Sequence, residues 1–348
     1  MSPLVIMIML TSLGLGTTLT FMSSHWLLAW MGLEINTMAI IPLMAQHHHP
    51  RAVEATTKYF LAQAAAAATI LFASTINAWA TGQWDINSLT NPVATTLATM
   101  ALGLKIGLAP MHFWMPAVMQ GLSLTTGLIM ATWQKLAPFA LIIQMAQTMH
   151  PQLLTILALM SVIVGGWGGL NQTQLRKILA YSSIAHLGWM IIIVQFKPQL
   201  TILALIIYII LTFTTFMTFK LMNTTKINTL AMNWTKTPII TATATLALLS
   251  LGGLPPLTGF MPKWLILQEL TTQNLPLTAT IMALSALLSL YFYLRLCYAM
   301  ALTISPNMNN SLTPWRLQST QNSLLLAIAT ILTLTLLPLT PMIQALIT

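Results

Sequence analysis

Apolar residues fill this chain in long continuous runs, with neither strand alternation nor heptad spacing, and each run stops at polar residues, proline or glycine. Reading the runs between such stops gives eleven segments, roughly 3–22, 26–45, 55–79, 92–120, 123–147, 153–170, 176–195, 200–222, 238–271, 277–302 and 322–345. Most are near the length of about 20 residues that a helix needs to cross a hydrocarbon core about 30 Å thick. The pattern predicts an all-α polytopic membrane protein of about 11 transmembrane helices, with residues 1–348 forming a single transmembrane domain.

Two segments are too long. At a helical rise of about 1.5 Å per residue, 92–120 would extend about 44 Å and 238–271 about 51 Å, so each must be broken or strongly tilted. Each carries the residues that break helices: Gly103, Gly107 and Pro110 in the first, and Gly252-Gly253-Leu254-Pro255-Pro256 in the second. They are the fourth and ninth segments. Spans one to five (1–147) and six to ten (153–302) then form two inverted five-helix repeats, each with a broken fourth helix, and 322–345 adds a final transmembrane helix. That arrangement is the pattern of secondary transporters and points to the breaks as the transport site. Internal sequence similarity is weak, so the correspondence rests on topology.

Composition agrees with a lipid solvent. Hydrophobic residues make up 57% of the chain and charged ones 5%, against about 25% charged in soluble domains. A net charge of +9 would suggest nucleic acid in a soluble protein. Here the cations stand singly between apolar runs, and they sort by side. Arg51, Lys58, Arg176, Lys177, Lys220, Lys226, Lys236 and Arg316 fall at or near connections on one side, and Lys197 stands almost alone on the other. The positive-inside rule places the N-terminus on the basic, synthesis side and the C-terminus across the membrane. One cysteine, Cys297, excludes an internal disulfide and a Cys-rich metal site or iron–sulfur cluster held by this chain alone. No import presequence is visible. Abundant Met, Thr and Leu with few charges resemble the composition of chains made inside mitochondria.

Four ionisable residues then stand out, because Glu34, Lys105, Lys135 and Lys263 all fall at intramembrane depth. A charge at the bilayer centre costs roughly 2.5–3.5 kcal/mol even on the lenient insertion scale. The plainer explanation is that they pair and lock helices together, but one glutamate cannot neutralise three lysines in a dry bundle. Taking an ammonium out of water favours its neutral form, which suits a group that must gain and lose a proton. These four are the candidate proton-transfer residues, and broken helices beside Lys105 and Lys263 would supply a hydrated lining. His186, in the second helix of the second repeat as Glu34 is in the first, is a candidate relay, and so is His112 just past the first break. Lone helical histidines are more often packing residues. Arg295, nearer its helix end, reads as interfacial. The run His47-His48-His49-Pro50-Arg51 lacks the fixed geometry of a metal site, and Gly165-Gly166-Trp167-Gly168-Gly169 suits close helix packing. No metal or nucleotide site is expected.

Longer motifs carry a resemblance. Leu104-Lys105-Ile106-Gly107-Leu108-Ala109-Pro110-Met111-His112-Phe113-Trp114-Met115-Pro116 is similar to the broken-helix signature of the antiporter-like subunits of respiratory complex I. Trp133-Gln134-Lys135-Leu136-Ala137-Pro138, Leu179-Ala180-Tyr181-Ser182-Ser183-Ile184-Ala185-His186-Leu187-Gly188 and the stretch from Gly252 to Trp264 resemble further motifs of that family, so that the likeness spans essentially the whole chain. The resemblance implies a membrane-arm subunit of the proton-translocating NADH:ubiquinone reductase. Glu34, Lys105, Lys135 and Lys263 match the family's glutamate–lysine pair, central lysine and exit-side lysine. It implies no cofactor in this chain, with NADH, FMN, iron–sulfur clusters and ubiquinone handled by other subunits. The implied partners are other membrane-arm subunits, antiporter-like and accessory ones included, and membrane lipids, but no nucleic acid. The implied location is the mitochondrial inner membrane, N-terminus in the matrix and C-terminus in the intermembrane space. Bacterial members typically have fourteen spans, so three N-terminal ones are expected to be lacking here, as in short animal versions. A stand-alone cation/proton antiporter and an inert scaffold of the membrane arm are the alternatives.

Overall fold

Pro3, Pro50, Pro92, Pro151, Pro198, Pro238 and Pro276 each open a helix, where the fixed φ of proline suits the first turn and its missing N–H is not needed. The computed structural model describes residues 3–46, 49–235, 237–301 and 323–347. His47, His48, Lys236 and Arg316, all named above, lie outside the described residues. The helices run α1 (Pro3–Met22), α2 (Trp26–Met44), α3 (Pro50–Thr81), α4 (Pro92–Ile106), α5 (Trp114–Gly121), α6 (Leu124–Ala131), α7 (Trp133–Gln144), α8 (Pro151–Gly169), α9 (Leu175–Ile193) and α10 (Pro198–Leu221). They continue with α11 (Ile227–Ala231), α12 (Pro238–Gly252), α13 (Phe260–Thr272), α14 (Pro276–Ala301), α15 (Leu324–Thr335) and α16 (Thr340–Ile347).

Among the described residues seven spans are long and apolar enough to cross a membrane: α1, α2, α3, α6 with α7, α8, α10 and α14. The other expected spans are of three kinds. α9 opens on Arg176 and Lys177. The two overlong segments are interrupted as expected, into α4 and α5 and into α12 and α13, whose pieces have 15, 8, 15 and 13 residues. The last span departs from the expected single helix: α15 and the helix after it meet at a 64° bend. Pro338 and Pro341 lie at that bend and cannot donate to the preceding turn. α3 also starts five residues earlier than expected, with His49 as its N-cap, its Nδ1 accepting from Arg51 N at 3.2 Å. Its exposed first turns carry the Glu54–Lys58 ion pair.

The chain divides into two compact units, residues 1–161 with 190–198, and residues 162–189 with 199–348. In the first, α1 crosses α2 at Gly16 and Gly32, where a Cβ on either residue would lie 2.9 Å from the other's carbonyl oxygen. In the second, Cβ atoms on Gly165 and Gly169 would lie 2.7 Å from Ala185 N and Phe292 Cδ1. Buried threonines are satisfied locally: Thr214 and Thr218 Oγ1 donate back to Leu211 and Thr215 carbonyls at 2.7 and 2.9 Å. Arg295, expected near the interface, donates from its two Nη atoms to the Leu170 and Gln172 carbonyls beyond the end of α8, where a planar fork closes a helix end that has run out of its own donors.

Each unit also carries a backbone clasp. In the first, Trp26 N donates to Trp84 O at 3.0 Å and Ile86 N to Ser24 O at 2.9 Å, pairing His25 with Asp85. In the second, Leu175 N donates to Thr225 O at 3.1 Å and Ile227 N to Thr173 O at 3.2 Å, pairing Gln174 with Lys226. Both clasps tie a helix–helix turn to the connection that leads into a broken helix.

Candidate proton-transfer site

The first break begins where α4 stops at Gly107, a left-handed residue (φ 89°) whose N–H bonds the Gly103 carbonyl at 2.9 Å. The chain then crosses the cis Ala109–Pro110 bond and resumes as α5. A helix cut inside a membrane leaves carbonyls with no water to turn to. Here neutral side chains take them: Trp114 Nε1 donates to Leu104 O at 3.0 Å, and Gln63 Nε2 of α3 to Lys105 O at 3.3 Å.

Lys105 sits in the last turn of α4, 5% exposed, and its Nζ has no hydrogen-bond partner among the described residues. Lys135 sits at the start of α7, 4% exposed. The fifth span is interrupted at Thr132, and Lys135 N reaches back to the Thr132 carbonyl at 3.3 Å. Pro138, one turn further on, cannot bond the Gln134 carbonyl, which loosens the helix around Lys135. The two lysines border one small cavity with Asn36, Tyr59, Gln63 and Gln134. It offers about 10 Å³ to the centre of a water-sized sphere, near the minimum of roughly 10–15 Å³ that one water needs. Gln134 ties its wall together, accepting from Tyr59 OH at 3.5 Å and donating to Asn36 O at 3.3 Å.

Glu34, of the expected glutamate–lysine pair, is half-buried on α2, accepts from Thr37 Oγ1 at 3.0 Å, and makes no hydrogen bond to the Lys105 amine. His112 lies in the break itself, 4% exposed, its ring 4.4 Å from that of Phe113.

In the second unit α12 stops at Gly253, again left-handed (φ 80°). Lys263, in the first turn of α13, donates from Nζ to the Gly252 carbonyl at 2.7 Å. Its side chain lies so close over the turn that a Cβ on Gly253 would meet Nζ at 2.9 Å. Thr258 Oγ1 donates to Thr333 O of α15 at 2.7 Å, fixing the loop of the break. Lys263 borders an open groove of about 650 Å³ between α13 and α14, largely apolar, with Trp189, Trp264 and Leu287 on its walls. His186 is half-buried on α9 with its ring 5.6 Å from that of Tyr208.

Residues 23–289 match the model of the NADH:quinone oxidoreductase/Mrp antiporter transmembrane family. The chain belongs to this family. Residues 290–344 of this antiporter-family chain match the model for the NADH dehydrogenase subunit 2 C-terminus. It is similar to NADH-ubiquinone oxidoreductase chain 2 of Carassius auratus, 72% identical over 348 residues that cover 100% of both chains. It is also similar to the chain 2 of Danio rerio, 68% identical with the same coverage. Among solved structures it resembles a chain of respiratory complex I from Thermus thermophilus with bound aureothin, with a TM-score of 0.84, 29% identity and coverage of 97% of this chain and 78% of that one. A chain of the Mrp complex from Dietzia sp. shares the fold, with a TM-score of 0.80 at 16% identity, over 96% of this chain and 75% of that one.

The candidate site also contains residues that sequence reasoning missed: Asn36, Tyr59, Gln63, Trp114 and Gln134. A signal existed for two of them. Tyr59 and Gln63 are four apart on α3, hence on one face, and Gln63 interrupts an alanine-rich run. A lone glutamine in such a run belongs with the charges as a group that needs a buried partner.

Proposed function

We propose that this chain is an antiporter-like core subunit of the membrane arm of complex I, moving protons across the mitochondrial inner membrane as electrons pass from NADH to ubiquinone elsewhere in the enzyme. Lys105 carries the proposal: a deeply buried amine with no hydrogen-bond partner, at the end of a broken helix, bordering a cavity shared with a second buried lysine. A lysine that only locks helices would be expected to have a bonded acceptor.

In this reading a charge change arriving from a neighbouring subunit alters the field of Glu34 at Lys105, and the proton of Lys105 moves to Lys135 through the cavity they share. Lys263 is the exit-side carrier of the second unit, and His112, in the first break, and His186, on α9, are relays. The magnitudes are compatible. Moving one charge against 100 mV takes about 2.3 kcal/mol, and two unit charges about 7 Å apart at an effective dielectric of about 20 interact by about 2.4 kcal/mol. One neighbouring charge is therefore enough to drive one step. Spans one to five (1–147) and six to ten (153–302) are the inverted repeats and 322–345 the final helix, eleven spans in all, with the N-terminus in the matrix and the C-terminus in the intermembrane space; the matching clasps support the repeat. FMN and the iron–sulfur clusters belong to other subunits, and the partners are other antiporter-like and accessory chains of the arm and membrane lipids.

The experiment is a native gel of mildly solubilised membranes followed by proton counting. The chain is expected to comigrate with NADH dehydrogenase activity, and Lys105→Ala and Lys135→Ala to lower the protons pumped per NADH in the assembled complex. Migration as a small free species, or unchanged stoichiometry in both variants, overturns the proposal.

A further inference from the structure

Asn36 of α2 is 2% exposed, yet neither its Oδ1 nor its Nδ2 has a hydrogen-bond partner among the described residues. Leaving a buried polar group unsatisfied costs about 1–3 kcal/mol, so an amide open at both ends calls for an explanation. It borders the same cavity as Lys105, whose amine is unpartnered too. Its backbone is held, since Gln134 Nε2 donates to the Asn36 carbonyl at 3.3 Å. Its Oδ1 lies against Gly16 of α1, where a Cβ would lie 2.5 Å from Oδ1 and 2.9 Å from Cγ. The glycine leaves the amide room that any other residue would take.

We propose that Asn36 is a positioning residue for Lys105, its amide serving both protonation states of the lysine: Oδ1 accepts from the ammonium, and after a half-turn Nδ2 donates to the neutral amine. This rests on the reading of Lys105 as a proton carrier. An amide is one of the few neutral side chains that offers both a donor and an acceptor from nearly the same place. It takes up no proton itself. The proton passes between Lys105 and Lys135, and Asn36 narrows the energy gap between the two states of Lys105 by leaving neither of them without a partner. The two groups are not bonded to each other in the structure, so the contact runs through one water in the cavity or through a turn of either side chain.

The titratable groups that bear on Lys105 are Glu34 from α2, through space, and Tyr59 from α3 and Lys135 from α7, which share its cavity. Replacing Asn36 alone leaves all of them in place. In membranes carrying the assembled complex, Asn36→Leu removes a partner from each form of Lys105; the charge-assisted bond to the ammonium is the stronger of the two, so the alkaline limb of the pH profile of pumping moves toward acid by about one pH unit. Asn36→Asp adds a charged acceptor and moves the limb the other way. Limbs that stay put, or that move in the same direction in both variants, overturn the proposal.

Should either variant fail to assemble, the smaller pair Asn36→Ser and Asn36→Ala decides. A hydroxyl also donates and accepts, so serine keeps the parental profile and alanine shifts it toward acid; identical profiles overturn the proposal. Lys105→Met in the same membranes separates the two claims. Intact pumping there removes the proton-carrier reading itself, whereas lowered pumping together with unmoved Asn36 profiles removes only the role of Asn36.

Discussion

At the first break the exposed helix carbonyls are closed by neutral groups, Trp114 and Gln63, and the lysine amine is left over. At the second break the lysine amine is itself the closure, bonded to Gly252 O. The chemistry on either side of each gap is otherwise alike: a 15-residue half-helix, a left-handed glycine and a lysine within the adjoining turns. The difference lies in order along the chain, because Lys105 precedes its gap and points away from the carbonyls that Lys263, following its gap, can reach back to cover. A lysine with no structural duty is free to change its charge, whereas one that caps a helix gives up a charge-assisted bond whenever it loses its proton.

The sharpest way to break this comparison is to neutralise each lysine at nearly constant shape. Lys263→Met leaves the Gly252 carbonyl unsatisfied, a loss of about 1–3 kcal/mol, and is expected to lower both pumping and the heat resistance of the assembled complex. Lys105→Met removes an unpaired buried amine, so pumping falls and heat resistance is unchanged or higher. Equal losses of heat resistance, followed by the temperature at which the native-gel band disappears, would abolish the distinction. The glycines give the next largest effect. A side chain at a left-handed position costs about 1–2 kcal/mol, so Gly107→Ala and Gly253→Ala both destabilise. Gly253→Ala is the worse because its methyl meets Lys263 at 2.9 Å, where at Gly107 it meets the Met115 sulfur at 3.2 Å. The smallest effect belongs to the neutral closures: Trp114→Phe and Gln63→Leu should each cost about 1 kcal/mol in the same assay.

Much of this was legible in the chain. An apolar run too long for the bilayer, with glycine and proline inside it, located both gaps, and the scarcity of charge made Glu34, Lys105, Lys135 and Lys263 conspicuous. What stayed hidden depends on distant contacts. That Gln63 would reach the Lys105 carbonyl 42 positions away, or that Arg295 would close the end of α8 from 125 away, follows from helix packing and not from any local pattern. Asn36 was hidden for a different reason, since a single amide in an apolar helix reads as a tolerated polar residue until its surroundings are known. The bend after α15 was signalled by Pro338 and Pro341 and was read through as one span.

The clasp that pairs His25 with Asp85 gives the first half-helix a pivot. α4 begins six residues beyond Ile86 of that clasp and runs about 22 Å to the end where Trp114 and Gln63 take its carbonyls. A tilt of about 3° about the pivot would then swing the far end by about 1 Å, and the residue riding on that end is Lys105. Rotation that the rim would barely register becomes, at the tip of this lever, the distance that separates a hydrogen bond from none.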